Sequence, residues 1–528
     1  MPFFDLHVHP TLKSMLTTRA AKANPWLLLD IKKISWFIRW CTDFKNILGS
    51  QCNPAQLIAS DCNLVCIALF VPERGITESK LMNRQALKTG LRAYINPERL
   101  EEINSGALRP YPDLVKEDLA VLTNPDQFGI HDKEVILLLP GVTYKPEDNS
   151  SLYVAFTVEG CHTLSSTLDR NAISHEDVLS NLDDLCREHP VISLNLTHLE
   201  QYPFCNHAYG ILFVTTDHFK PSGKEISADG IEIIRHCYNR NILIDMKHMS
   251  LGARRKLIED VRLRPDFAAL NQPVICSHAG FSGLSYNDIP DYIQYQPVSG
   301  KDYSYLLWNK PKKYGTYPTV TAFNPCSINL YDEDIMAILH SGGIIGLSLD
   351  KRILGFSDAD SRPVAISETT FEEEYISNAE LNYFISRKPL GQKMNEHYCI
   401  TTGEVLAGGV VNPDASFYHL CHFMSHLLHL VKVAGDNGYD VQKALTQVCI
   451  GSDFDGFINP VWCCRNVTAL QVFKAELIRY FPGYAKNNRD VVSLPEGFNI
   501  KVFAEQLFFE NGRDFLMNRL SLLNPVIT

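Results

Sequence analysis

Eight short apolar, β-rich runs, most of them followed by a stretch of helical periodicity, constrain this chain more than any other feature. They read FFDLHVH (3–9), NLVCIALFV (63–71), SLYVAFTVEG (151–160), PVISLNLTH (190–198), NILIDMKH (241–248), PVICSH (273–278), GGIIGLSLD (342–350) and TQVCIGSDFDG (446–456). Near-continuous apolar runs of this length suit strands buried on both faces, as in a parallel sheet covered by helices. Eight is the number that closes a (β/α)8 barrel. An open doubly wound sheet also fits the alternation, but polar residues gather at the C-terminal ends of the runs, where barrels carry chemistry. The fold expected is a (β/α)8 TIM-like barrel with insertions on the C-terminal face, formed by residues 1–528 as one unit.

Helical patterns between the runs agree. Residues 227–241 offer Ser227 as a cap with Ile231, Ile234 and Tyr238 at helical spacing. Residues 330–343 begin with an acidic turn and end on glycines, and 415–435 form a long apolar helix before the last strand. Two stretches break the repeat: 281–326, containing SGKDYSYLLWNKPKKYGTYP, and 351–414, containing SDADSRP and ETTFEEEY. Long insertions on the C-terminal side of a barrel shape or cover the site. The region 72–150 is also longer than a simple crossover.

Bulk properties exclude several function classes. A formal net charge of −11 without a dense Lys/Arg cluster argues against a nucleic-acid face. No run of about 18 apolar residues is present to span a bilayer. The opening residues carry no signal-peptide pattern, and SLLNPVIT at the end is too short and polar for a lipid-anchor signal. Fifteen cysteines, an odd number without CxxC spacing and with Cys463 and Cys464 vicinal, read as reduced thiols. The expected setting is the cytoplasm, with no membrane and no nucleic-acid partner.

The residues that carry chemistry sit at the strand ends. In a strand, His7 and His9 point to the same face; two imidazoles so placed hold a metal ion or are simply two polar residues at a strand end. Strand three adds Glu159, strand four His198, strand five His248, strand six His278 and strand eight Asp453. Each alone has a bland explanation, as a helix cap or a hydrogen-bonded core histidine. Together, clustered imidazoles and carboxylates call for a divalent metal. Histidines plus carboxylates suit zinc, with manganese or iron as alternatives. A carboxylate reaching two ions would let them share a hydroxide, and Asp453 is placed to move its proton to a leaving amine.

HVH, VEGCH, LNLTH, IDMKHMS, VICSHAG and IGSDFDG, in this order, resemble the membrane (renal) dipeptidase family of the amidohydrolase superfamily. The closest likeness lies in 223–250 and 425–456, with 328–350 also similar; the two insertions match nothing in the family. The resemblance implies that His7, His9 and Glu159 hold one zinc and that Glu159, His248 and His278 hold the other, with Glu159 bridging. It further implies that Asp453 handles the proton and His198 contacts the substrate or its tetrahedral intermediate. His426 and His429, spaced like the family's paired histidines, read as structural. The activity implied is hydrolysis of an amide bond in a dipeptide or small acylated amino acid through a metal-bound hydroxide.

Two positions depart from the family. His9 stands where the family has an aspartate, as in the wider superfamily's HxH. Ile328 stands where the family has an arginine for the substrate's terminal carboxylate, and an apolar side chain supplies no bidentate fork. Lys351 or Arg352, just past strand seven, are the expected substitutes. Should neither serve, a lactonase or deaminase acting on a substrate without a carboxylate is the second reading, and a non-catalytic metal-binding protein the third. A small-molecule or dipeptide substrate is the partner expected, and a homodimer is one expectation for a barrel of this size.

Overall fold

A computed structural model describes residues 2–17, 24–28, 47–78, 96–210, 216–223, 225–314, 321–356, 371–386 and 415–523. SDADSRP (357–363) and most of 351–414 lie outside the described residues.

All eight apolar runs form strands: β1 Phe4–Val8, β2 Leu64–Leu69, β4 Ser151–Val158, β5 Val191–Asn195, β6 Leu243–Asp245, β7 Val274–Ala279, β12 Ile345–Leu347 and β14 Val448–Ile450. They pair in parallel in that order. A parallel bridge between Val8 and Phe454 brings the last strand back to the first, with Asp453 N–H donating to the His7 carbonyl at 3.0 Å and His9 N–H to the Phe454 carbonyl at 2.9 Å. The result is a (β/α)8 barrel. The ladders are shorter than the apolar runs because the polar ends leave the sheet to build the mouth.

One strand has no counterpart in the apolar pattern. β3, Glu134–Leu137, pairs in parallel with residues 151–154 of β4, while β5 takes up 156–158 on the same edge. Inside the barrel, Phe4, Leu64, Tyr153, Leu243 and Ile275 pack with Phe509, Leu516 and Leu520 of the C-terminal helices, which close the end opposite the site. The expected helices are present at 228–239, 332–341 and 415–436. Ser227 caps the first, its hydroxyl accepting from Gly230 N–H at 3.1 Å. Gly342, at φ 74°, ends the second in the left-handed conformation that suits glycine.

The stretches that broke the repeat carry structure of their own. β8 Ile293–Pro297 and β9 Tyr303–Asn309 form an antiparallel hairpin, and β13 Phe371–Ser377 adds to its other side, so that residues far apart in sequence make one three-stranded sheet. β10 Lys312–Tyr314 and β11 Thr321–Ala322 form a separate ribbon. The three-stranded sheet carries its own apolar cluster, including Trp308, Tyr331, Ile353 and Ile376. Two buried carboxylates dock it on the barrel mouth. Glu374 of β13 accepts from Ser327 and from Trp308 Nε1 (2.7 Å), and Glu380 accepts from Ser250 Oγ and Gly252 N–H (3.0 Å).

Candidate metal centre

Six of the seven strand-end residues meet in one buried cluster, and the seventh, Asp453, stands at its edge. Around Glu159, the His7 Nε2 and His278 Nε2 atoms lie 3.4 and 3.5 Å from Oε1, and His248 Nε2 lies 3.1 Å from it. The other carboxylate oxygen, Oε2, lies 3.4 Å from His9 Nε2. His7 and His9 approach each other at 3.1 Å between Nε2 atoms, and His248 and His278 at 3.2 Å. Asp453 Oδ1 is 3.4 Å from His9 Nε2. His198 Nε2 stands 3.8 Å from Glu159 Oε1.

Local backbone geometry aims these side chains. His248 and Asp453 hold φ values of 67° and 63°, a left-handed conformation that costs a non-glycine residue roughly 1–3 kcal/mol. Such strain recurs where a fold turns a side chain toward a site. Tight strand spacing supports β7: a Cβ at Gly346 or Gly451 would meet the Ser277 carbonyl oxygen at 1.9 or 1.8 Å, so glycine at both lets the neighbouring chain approach the strand bearing His278. Ser277 Oγ, 2.9 Å from His278 Nδ1, orients that ring with Nε2 toward the cluster.

Charge in the cluster is set by burial against proximity. Burial works against the Glu159 anion, but His198 and His7 outweigh it and hold the carboxyl well below the usual carboxylate range. Burial, then the His198 charge, pushes His248 well down; burial and the charges of His7 and Lys247 do the same to His278. Burial also opposes charge on His7, yet Glu159 raises its affinity for a proton. Imidazole Nε2 atoms converging on an ionised carboxylate form a candidate ligand set for a divalent ion, which would take the place of the protons. Among the described residues, His7–His9–Glu159, His7–His278–Asp453 and Glu159–His198–His248 each bring ligand atoms within 4.8 Å of one another.

Sequence reasoning missed Glu73. Completely buried just beyond β2, its Oε1 accepts from His198 Nδ1 at 2.5 Å and from Leu199 N–H at 3.0 Å. Burial opposes its ionisation, but the His198 charge outweighs this and holds the carboxyl down to about 2. With Nδ1 engaged, His198 offers Nε2 to the site. The available signal was positional: Glu73 follows the run NLVCIALFV, at the end of the one strand for which no site residue was named.

The remaining predicted residues lie at the rim. Ile328 packs with Ala208, Leu251 and Ile353 in the apolar cluster of the inserted sheet. Lys351 is buried with its ammonium 5.8 Å over the Phe356 ring. Arg352 donates from Nη2 to the Gly210 carbonyl at 2.5 Å, and a Cβ at Gly210 would lie 3.6 Å from Ile328 Cδ1. His426 and His429 lie buried outside the cluster; His429 joins Asp332 Oδ1 at 2.8 Å to Tyr314 OH at 3.0 Å, and His426 Nδ1 meets the His422 carbonyl at 2.9 Å. Among the described residues, no helix is long and apolar enough to cross a membrane.

No protein-family model matches the chain, and no curated protein does. Several solved structures are similar to it. One is a metallopeptidase from Rhodobacter sphaeroides, liganded with a phosphinate mimic of the dipeptide L-Ala-D-Ala (13% identity, 98% of this chain and 99% of that one, TM-score 0.49). Another is dipeptidase AC, a metallopeptidase of family M19 (13% identity, 99% of each chain, TM-score 0.49). The third is the probable dipeptidase PvdM from Pseudomonas aeruginosa (14% identity, 90% of this chain and 89% of that one, TM-score 0.44). These three are a metallopeptidase, a dipeptidase and a probable dipeptidase.

Proposed function

We propose that this chain is a binuclear metal-dependent hydrolase of the membrane dipeptidase type, cleaving an amide bond in a dipeptide or small acylated amino acid. The observation that carries the reading is the convergence of four imidazole Nε2 atoms on the two oxygens of Glu159, with Asp453 beside them. His7 and His9 with Glu159 would hold one ion, and Glu159 with His248 and His278 the other. The donor set suits zinc, and manganese or iron would take the same ligands. Such ions supply a water that loses its proton near neutral pH and polarise the scissile carbonyl.

The chain's own groups do the rest. Asp453 takes the proton from the attacking water and passes it to the leaving amine, so its carboxylate is regenerated in each turnover. His198, locked at Nδ1 by Glu73, presents Nε2 to the carbonyl oxygen as charge builds there. Of the two cations past β12, Arg352 donates to the Gly210 carbonyl beside Ile328, and the Lys351 ammonium lies over Phe356.

Hydrolysis of a dipeptide panel by the zinc-reconstituted protein, including members with D-configured C-terminal residues, tests the reading with Asp453→Asn as blank. Turnover that exceeds the blank supports it; equal turnover by the blank removes Asp453 from its role. A second reading, a lactonase or deaminase on a substrate without a carboxylate, is favoured by the apolar setting of Ile328. Activity confined to lactones or amines would select it.

A further inference from the structure

Lys247 is a buried lysine without an ion-pair partner among the described residues. It sits two residues past Asp245 at the end of β6, directly before His248, and is 2% exposed. Its ammonium has three protons to donate. Among the described residues it makes one hydrogen bond, a long one of 3.3 Å to the Ile328 carbonyl, and no ion pair. Burial opposes its charge, and Asp453, Asp245 and Glu159, which favour it, act from beyond ion-pair distance. Asp245 Oδ1 accepts from the backbone N–H groups of Lys247 and Ser277, at 2.9 and 3.1 Å, and no ion pair joins its carboxylate to the ammonium.

Three other buried lysines each have a carboxylate partner. Lys13 pairs with Asp455 at 2.6 Å, Lys310 with Glu372 at 3.2 Å, and Lys474 with Glu505. Arg254, which bonds to the same segment, also has a carboxylate. It meets Asp334 at 2.9 Å and donates to the carbonyls of Met249 (2.9 Å), Ser327 (2.6 Å) and Asn329 (3.0 Å). The segment 327–329 thus lies between two buried cations. One has a carboxylate and three carbonyls, and the other holds a single carbonyl and has two donor positions to fill. A buried charge in that state calls for an anion.

We infer that Lys247 binds the substrate's anionic group, a carboxylate on the leaving-amine side of the scissile bond. The inference rests on the proposed hydrolase reading and deepens it: the cation enters from the end of β6, beside His248, and position 328 contributes only its backbone. A carboxylate has lone pairs enough to fill both open donor positions while the Ile328 carbonyl keeps the third.

The test compares a dipeptide as the free acid and as its C-terminal carboxamide on the metal-loaded protein, for wild type, Lys247→Met and Lys247→Arg. Wild type is expected to prefer the free acid. In Lys247→Met that preference falls about 10- to 100-fold, through KM rather than kcat, as loss of one charge-assisted contact predicts. Lys247→Arg retains part of it. A Lys247→Met protein that keeps the full preference, or a wild type with none, overturns the inference. If Lys247→Met does not fold, Lys247→Gln, which can still donate to the Ile328 carbonyl, makes the same comparison. If wild type hydrolyses neither compound, the hydrolase reading has failed by itself. Calorimetric titration with N-acetyl-D-alanine then decides about Lys247: binding lost in the variant supports the anion site, and equal or absent binding in wild type overturns it.

Discussion

Replacing Glu73 by glutamine removes one charge from the site and leaves its shape almost intact. The glutamine oxygen can still accept from Leu199 N–H and from His198 Nδ1, the two groups that Glu73 Oε1 holds at 3.0 and 2.5 Å. What changes is the character of the second bond. A hydrogen bond between charged partners contributes about 1.5–3 kcal/mol, against about 0.5–1.5 kcal/mol for a neutral one. Complete burial and a 2.5 Å separation place this pair at the strong end. A loss of about 2 kcal/mol in the stabilisation that His198 provides at the transition state corresponds to roughly 30-fold in rate. Because Glu73 acts through His198, the loss appears in kcat, and KM changes little. Steady-state kinetics on the best substrate of the panel, at matched metal content, measure it. A Glu73→Gln enzyme with kcat within about twofold of wild type would refute the assignment of Glu73 as a positioning residue.

Stripping the metal with a chelator should lower the thermal midpoint, and adding zinc back should restore it; ions held at a thousand times their dissociation constant stabilise by about 4 kcal/mol. An unchanged midpoint and no metal by elemental analysis would count against the centre. Ile328→Ala should cost about 2–4 kcal/mol in chemical denaturation, because the side chain is 5% exposed within the inserted sheet's apolar cluster. Ile328→Arg should destabilise further and should not raise dipeptide turnover, since position 328 faces that cluster. Burial pushes the Glu374 carboxyl up to about 7, although its bonds from Ser327 and Trp308 oppose this. The native state then keeps a proton that the unfolded chain releases from its ordinary value of 4.5 upward. Stability falls as pH rises through that window and levels above it, by about 3 kcal/mol from this group. Denaturation at pH 5 and pH 8 should show a smaller pH dependence in Glu374→Gln; an identical one would reject Glu374 as its source.

The alternation of apolar runs with helical periodicity was sufficient for the barrel, because strand and helix periods are local properties of a chain. The ligand cluster was legible for a related reason. Parallel strands wound in one direction deliver all their C-terminal ends to one mouth, so residues such as Glu159 and His278, more than a hundred positions apart, could be brought together on paper. Glu73 belonged to the same logic and was overlooked only because PER after the second run carries no histidine. Other features had no local signature. β13 pairs with β9 across two separate insertions, and nothing in ETTFEEEY indicates its partner. Whether Ile328 was a lost substrate contact or a packing residue depended on that sheet, whose apolar cluster receives it. The same holds for Lys247, which in the sequence is one more residue of IDMKHMS. Charge compensation is decided by groups distant along the chain, and only the tertiary structure shows which buried cations have been given a carboxylate.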